Sequence, residues 1–406
     1  MSATDIATRA RTGIDVPPDA SLLDAARGLG PIIMASRDAT ERDRRLARPV
    51  LDAMRNAGMF RMFTPAALGG LETDPVTLAH VVEEIAKHDS AAGWALQAGN
   101  TGAWWAGNMQ EDGIAEIFAD GPDLMMAASF APPHRADVVP GGYRLTGRGA
   151  LASTVQDSPW VMLSGIVHDE GQPRMTPFGP TVVGLIMRNT DVQILDTWHS
   201  LGMRGTDSND VVADRVFVPT SRAFVITPDF EPAPQFRGPL YRLPATVATI
   251  AIITPVALAI ARGAIDEVRD LATSKVPMGT QKTLRNRTLA QSTLARAEAS
   301  LRSARLLFYD TLSAAWRQAL AGQPFSLEDK ADLMLAGTHA VQTAADVADM
   351  MHRTAGTSGI YTRSRLERLF RDAQTVRHHG FHSESRYETV GQVYLGVEPE
   401  FPFVAF

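Results

Sequence analysis

The sequence predicts an α+β protein, mainly α, with an N-terminal helical domain (1–124), a central β domain (125–235) and a C-terminal helix bundle (236–406). Three observations predict it. Apolar residues recur at helical spacing in the first and last thirds of the chain. Between them lie short β-branched runs bounded by Gly, Pro and Asp. No strand-helix-strand alternation occurs, and neither GxGxxG nor GxxxxGK[ST] is present, which disfavours a doubly wound nucleotide-binding domain. A length of 406 residues with 45% apolar and 21% charged residues suits a folded chain of two or three domains.

Leu22, Leu23, Ala26 and Leu29 open the helical pattern, which Gly30-Pro31 punctuates before a charged stretch from Asp38 to Arg48. Pro49 lacks the N–H that a helix interior needs, so it belongs in a first turn, ahead of Val50, Leu51, Met54 and Ala57. Gly58 is placed to cap that helix. Thr64 to Gly70 reads as a loop, and Leu78, Val81, Val82 and Ile85 as the next helix.

The expected strands are Gly142 to Gly147, Trp160 to Leu163, Thr181 to Met187 and Val211 to Pro219, forming a mostly antiparallel sheet or barrel. Beyond them, Leu243 to Ala261 carries no charge, which touches the length of a membrane span. Pro244, Pro255 and three threonines argue instead for a helix buried on all sides in a bundle. A helical stretch from Thr283 to Leu320 follows, then a helix opened by Ser326 with Asp329 in the capping-box position. Long helices with short connections imply an antiparallel bundle.

Charge excludes some functions. The 39 basic and 45 acidic residues give a net charge of −6 without a basic block, so nucleic acid is not an expected partner. The absence of cysteine removes disulfides, thiolate metal sites and thiol catalysis. The first 20 residues have no continuous apolar stretch of the secretory type, which together with the composition points to the cytoplasm.

Several strings occur in a meaningful order: Pro65 with Gly69-Gly70, Asp89-Ser90-Ala91-Ala92-Gly93-Trp94, Gly142 to Gly147 leading to Leu151-Ala152-Ser153, Trp198 to Ser208 with Val218-Pro219, and Arg371-Asp372. In this order they make the chain resemble the acyl-CoA dehydrogenase fold, and within it the reduced-flavin-dependent monooxygenases of two-component systems. Many dehydrogenases of that fold follow the Arg-Asp pair with a Tyr-Glu-Gly-Thr string whose glutamate removes the substrate α-proton. The same interval here reaches His378-His379-Gly380. The resemblance therefore implies a hydroxylase that takes reduced FMN or FAD from a separate flavin reductase, with O2 and a small aromatic or heteroaromatic substrate, in a homotetramer. An FAD-holding acyl-CoA dehydrogenase or oxidase is the alternative.

Under that resemblance His379 is the first candidate to face the flavin and act as a base, with His378 and His382 as fallbacks. A metal is not expected: His378, His382 and Glu384 make a weak set, with Gly380 interrupting and no HExxH string. Ser153 matches a serine that hydrogen-bonds the flavin, and no GxSxG surrounds it to suggest a hydrolase. Ser129, Phe130, Thr206 and Ser208 are further flavin-side candidates, although Asp207 stands where relatives often have glycine. Arg287 is a candidate for the flavin phosphate. Trp94 and Trp104 are the substrate-side candidates, with Trp105 beside them and core packing as the ordinary alternative. Asn100 and Thr101 stand near a histidine of the relatives, so substrate contacts are expected to differ. The basic run Arg363, Arg365, Arg368 and Arg371 reads as a subunit-contact or solvated face.

Overall fold

The computed structural model describes residues 17–176, 179–228 and 231–406. The expectation of an irregular N-terminus without a secretory signal falls largely on residues 1–16, outside the described residues. Among the described residues, the first six helices are α1 (Ala20–Gly28), α2 (Gly30–Asp43), α3 (Arg48–Asn56), α4 (Pro75–His88), α5 (Ser90–Ala106) and α6 (Glu111–Ile117). Local chemistry fixes their starts. Asp19, Asp74 and Asp89 each accept first-turn N–H groups of α1, α4 and α5. Pro49 lies in the first turn of α3 and Gly58 follows its end at φ 73°, both as the sequence implies.

The strands that follow among the described residues are β1 (Met126–Val139), β2 (Gly142–Ala152), β3 (Trp160–Asp169), β4 (Gln172–Pro173), β5 (Met175–Thr176), β6 (Gly179–Pro180), β7 (Val182–Arg188), β8 (Gln193–Leu195), β9 (Asn209–Pro219) and β10 (Ala223–Val225). The main sheet has the order β10-β7-β3-β1-β2-β9-β8, with β4 beside β3. Its pairs are antiparallel except β1 with β3, whose parallel register shifts between Ser129 and His134. Strand β1 is the longest element that sequence patterning leaves out, because Pro132 and Pro133 lack the N–H that a ladder uses; the short β4, β5, β6, β8 and β10 are left out as well. Ala127, Leu145, Val161, Leu163, Leu185 and Val211 form a separate apolar core on the sheet.

The C-terminal helices are α7 (Ala245–Ser274), α8 (Thr288–Leu320), α9 (Leu327–Ala355), α10 (Arg365–Val376) and α11 (Ser385–Tyr394). The uncharged run forms the first half of α7, which packs against α4, α5, α8, α9 and α10 and is buried along its length. Charge returns at Arg262, which pairs with Glu298 of α8 at 2.8 Å. Ser326 and Asp329 form the reciprocal capping box that opens α9.

Most of the basic run near Arg368 is turned inward rather than solvated. Arg368 pairs with Asp89 at 2.8 Å and Glu41 at 3.3 Å, and Arg371 pairs with Glu41 at 2.9 Å and Glu367 at 2.6 Å. Arg365 reaches Glu267 and the Lys87 carbonyl. These ties clamp α10 onto α2, α4, α5 and α7. Apart from Glu367 the carboxylates come from distant sequence, so local patterning cannot show the match. Arg363 alone keeps the outer position, stacked over Tyr361.

Candidate active site

A cavity of about 510 Å3 opens where the sheet meets α5, α7 and α10, within the size range of small-molecule sites. Helix α5 supplies Trp94, Gln97, Ala98, Thr101 and Trp105 to its wall. These positions are spaced i, i+3, i+4, i+7 and i+11, a single stripe on a helix that turns about 100° per residue. That geometry corrects one substrate-side expectation. Trp104, ten residues after Trp94, falls off the stripe and is buried in the helical core, whereas Trp105 reaches the cavity. Asn100 is also structural: its amide donates to the Met59 and Leu96 carbonyls and its oxygen accepts from Phe63 N–H.

One end of the cavity is polar. Trp94 Nε1–H donates to Ser153 Oγ at 3.0 Å, Ser153 Oγ lies 2.7 Å from Ser208 Oγ, and Ser208 Oγ lies 2.7 Å from Thr206 Oγ1. Thr206 donates to the Met203 carbonyl at 2.8 Å, which also accepts Trp198 Nε1–H at 3.1 Å. The Met203 N–H in turn donates to Asp372 of α10, which also accepts from Ser90 Oγ at the start of α5. Sequence positions 90, 94, 153, 203, 206, 208 and 372 thus join in one continuous network.

The backbone around this network is unusual. Leu151, Thr154, Met203 and Asp207 all lie at φ between 51° and 63°, a left-handed conformation that costs a non-glycine residue energy. Asp207 takes the conformation a glycine would adopt without strain. Its carboxylate accepts from Gln156 N at 2.7 Å, Gln156 Nε2 at 2.6 Å and Asn209 Nδ2 at 2.6 Å, which offsets the loss. Burial nevertheless raises its pKa to about 6, against the pull of those three bonds. Asp372 is likewise raised to about 6 by burial, opposed mainly by Arg368.

His379 borders the cavity, partly buried, with its ring edge-on to Trp94 at 5.6 Å between centroids. Burial pushes its pKa down to about 4, so the imidazole is neutral at physiological pH. Its Nδ1 accepts the Phe381 N–H at 3.4 Å, an arrangement that puts the ring proton on Nε2. The fallbacks diverge: His378 lies at the exposed rim, and His382 is fully buried behind the wall, with Nε2 3.1 Å from Thr254 Oγ1.

Two flavin-side expectations move. Ser129 does not line the cavity; it donates to the Ala150 carbonyl at 2.6 Å and ties β1 to β2, while its neighbour Phe130 does line it. Arg287 borders a second cavity with Lys275, Arg353 and Gly356. The physical reason is length. Leu284 N bonds the Lys275 carbonyl just beyond the C-terminus of α7, whereas Thr246, Thr249 and Ile253 face the first cavity from its opening turns, roughly 30 Å away at 1.5 Å rise per residue.

Sequence patterning missed Phe381, Phe401, Phe403 and Phe406, which form an aromatic wall of the cavity. Their centroids lie 5.4–6.0 Å apart along the chain of contacts. Thr246 N donates to the Phe406 carbonyl at 3.1 Å and holds this segment against α7. Four phenylalanines without helical or strand periodicity were the available signal.

The lining fits a flat heteroaromatic cofactor with a polar edge: three adjacent hydroxyls able to donate or accept at one end, and Trp198, Phe130 and Trp94 as apolar walls. Residues 30–110 match the acyl-CoA dehydrogenase N-terminal domain and residues 251–384 the acyl-CoA dehydrogenase C-terminal domain. The indole-3-acetate monooxygenase of Pseudomonas putida is 33% identical over 363 residues, covering 88% of this chain and 90% of that protein. The chain belongs to the acyl-CoA dehydrogenase family, on its flavin-dependent monooxygenase branch. The oxygenase component of an FADH2-dependent resorcinol hydroxylase from Rhizobium sp. is 26% identical across 94% of this chain and 96% of that one. Among solved structures, XiaF from Streptomyces sp. in complex with FADH2 and glycerol superposes with a TM-score of 0.87, at 24% identity over 94% of this chain and 97% of that chain. That likeness confirms the fold expected from the sequence.

Proposed function

We propose that this protein is the oxygenase component of a two-component system. It takes reduced FMN or FAD from a separate flavin reductase and places one oxygen atom of O2 on a small aromatic or heteroaromatic substrate. The observation that carries this reading is the chemistry of the cavity wall. Among the described residues that line it there is no carboxylate to remove a substrate α-proton, and a neutral histidine stands at the interval where many dehydrogenases of the fold carry their glutamate. The relatives named as monooxygenases and hydroxylases support it.

Reduced flavin, when bound, supplies the electrons and the oxygen-activating chemistry. The chain supplies position, hydrogen bonds and dryness. Ser153, Thr206 and Ser208 offer hydroxyls to the polar edge of the ring, and Trp94 fixes the Ser153 hydroxyl by donating to it. Phe130 and Trp198 would offer the ring apolar surface, and Trp105 with the phenylalanine wall would help exclude water from the cavity. His379 holds its proton on Nε2 and acts as a neutral hydrogen-bonding group; its one free lone pair, on Nδ1, already faces the Phe381 amide. A homotetramer in the cytoplasm, with no nucleic-acid or membrane partner, completes the reading.

The test combines purified protein, externally reduced flavin and 18O2 with a panel of a phenol, an indole and a thiophene. An 18O-labelled product is expected by mass spectrometry. Tightly held FAD that is reduced by an acyl-CoA, with no labelled product, would overturn the proposal. His379→Ala is expected to retain flavin binding but release hydrogen peroxide in place of product, and unchanged product yield removes His379 from the mechanism.

A further inference from the structure

The cavity wall is as informative for what it lacks. Twenty-six residues line it, and among these described residues there is no Asp, Glu, Lys or Arg. Its ionisable groups are two imidazoles: His379, held neutral by burial, and His378 at the open rim. The Arg386 guanidinium stacks 3.6 Å over the Phe401 ring but does not line the cavity. Beyond Phe401 the surfaces offered to a ligand are aromatic rings, Ile253, and the hydroxyls of Thr246 and Thr249. Those hydroxyls already donate, Thr246 to the Phe403 carbonyl and Thr249 to the Ala245 carbonyl at 2.8 Å.

An anionic substituent entering this end would leave water without a cation to meet it, and burying an unpaired carboxylate is strongly unfavourable. A neutral ring meets the opposite circumstance: flat aromatic partners at van der Waals distance and little polar surface to strip. We infer that the pocket selects planar aromatic substrates without a formal negative charge, and that Phe381, Phe401, Phe403 and Phe406 form the surface that makes this selection. The inference rests on the proposed oxygenase reading and narrows its substrate class. It also separates this chain from its relative named for indole-3-acetate, whose substrate carries a carboxylate at neutral pH.

The discriminating probes are pairs of equal size that differ in charge: indole-3-acetamide against indole-3-acetate, and 4-hydroxyphenylacetamide against 4-hydroxyphenylacetate. Calorimetric titration of the full chain with reduced FMN under anaerobic conditions at pH 7.5 measures binding. The amide of at least one pair is expected to bind tighter than its carboxylate by about tenfold or more. A smaller ratio in both pairs, tighter binding of the acids, or no binding of either amide overturns the inference. Admission of O2 then separates the two levels of argument. Product from acids and amides alike defeats the charge selection and leaves the oxygenase reading intact. Charge-selective binding without product from any neutral probe defeats the oxygenase reading and leaves the pocket's selectivity standing.

Discussion

Asp372 joins α10 to the loop that carries Thr206 and Ser208, and two substitutions there separate its hydrogen bonds from its charge. It is 1% exposed, accepts from Met203 N–H and Ser90 Oγ, and lies 4.0 Å from Arg368, which keeps Asp89 and Glu41 when Asp372 is removed. Asp372→Ala strands two buried donors at about 1–3 kcal/mol each and removes one partner of Arg368, for a loss of about 3–5 kcal/mol. Asp372→Asn keeps an acceptor for Met203, and the Ser90 hydroxyl can turn to accept from the new amide. Burial raises the Asp372 carboxyl from 3.8 to about 6, so its ionised form carries a penalty of roughly 3 kcal/mol that Asn does not. The sign follows: a carboxyl raised on folding loses stability as pH rises through about 6, and regains it as pH falls from there towards 3.8. At pH 7.5, urea unfolding is expected to put Asp372→Asn within about 1 kcal/mol of the wild type, or above it, and Asp372→Ala about 3–5 kcal/mol below. At pH 5.5 the wild type gains about 1 kcal/mol on the Asn variant. Asn as damaging as Ala at pH 7.5, with no gain at pH 5.5, would mean that attraction to Arg368 outweighs burial, and the reasoning fails.

Other positions around the same loop give sharper tests of geometry. Asp207→Gly removes left-handed strain but also three acceptor bonds, and a net loss of about 1–3 kcal/mol is expected by urea unfolding; unchanged stability would show that those bonds contribute nothing. Gly202→Ala sets a Cβ 2.3 Å from the Arg371 carbonyl oxygen and 2.6 Å from Asp372 N, both backbone, so the loop must lift. Its affinity for reduced flavin should fall by about tenfold with helical circular dichroism intact, and equal affinity would detach the loop from the cofactor. With His379 titrating at about 4, product coupling between pH 6 and 8 should show no step that His379→Asn abolishes; such a step would restore the histidine as a base.

The sequence made much of the fold legible because its signals are local. Helix starts at Pro49 and Ser326 depend on neighbours within four residues, and the uncharged run of α7 needs only its own composition to declare burial. The resemblance supplied order at Ser153, Thr206, Ser208, Phe130 and His379, and the fold brings these five to one cavity wall. It failed where the deciding partner is remote. Whether Trp104 or Trp105 reaches the cavity depends on helix phase set by packing, and the role of Arg368 on carboxylates 279 and more residues away. Arg287 borders a different cavity for a related reason: motif order along a chain does not measure the length of α7.

The strained backbone at the polar end has a consequence for how a cofactor is held. Four non-glycine residues in the left-handed region persist only if their surroundings over-determine them. Three of them have visible restraints here: Met203 through Asp372, Asp207 through Gln156 and Asn209, and Thr154 through the Thr206 carbonyl. The hydroxyls of Ser153, Thr206 and Ser208 are therefore set in place by protein contacts alone, before any ligand arrives. On the proposed reading this suits a flavin that enters reduced and leaves oxidised in each cycle. A loop ordered only by the flavin would spend binding energy on its own ordering at every entry, whereas one ordered by the chain leaves that energy to the ring. The energy required is drawn instead from the fold, through the buried clamp of α10 on α2 and α5, which ties the integrity of the cofactor end to the ion pairs directly behind its loop.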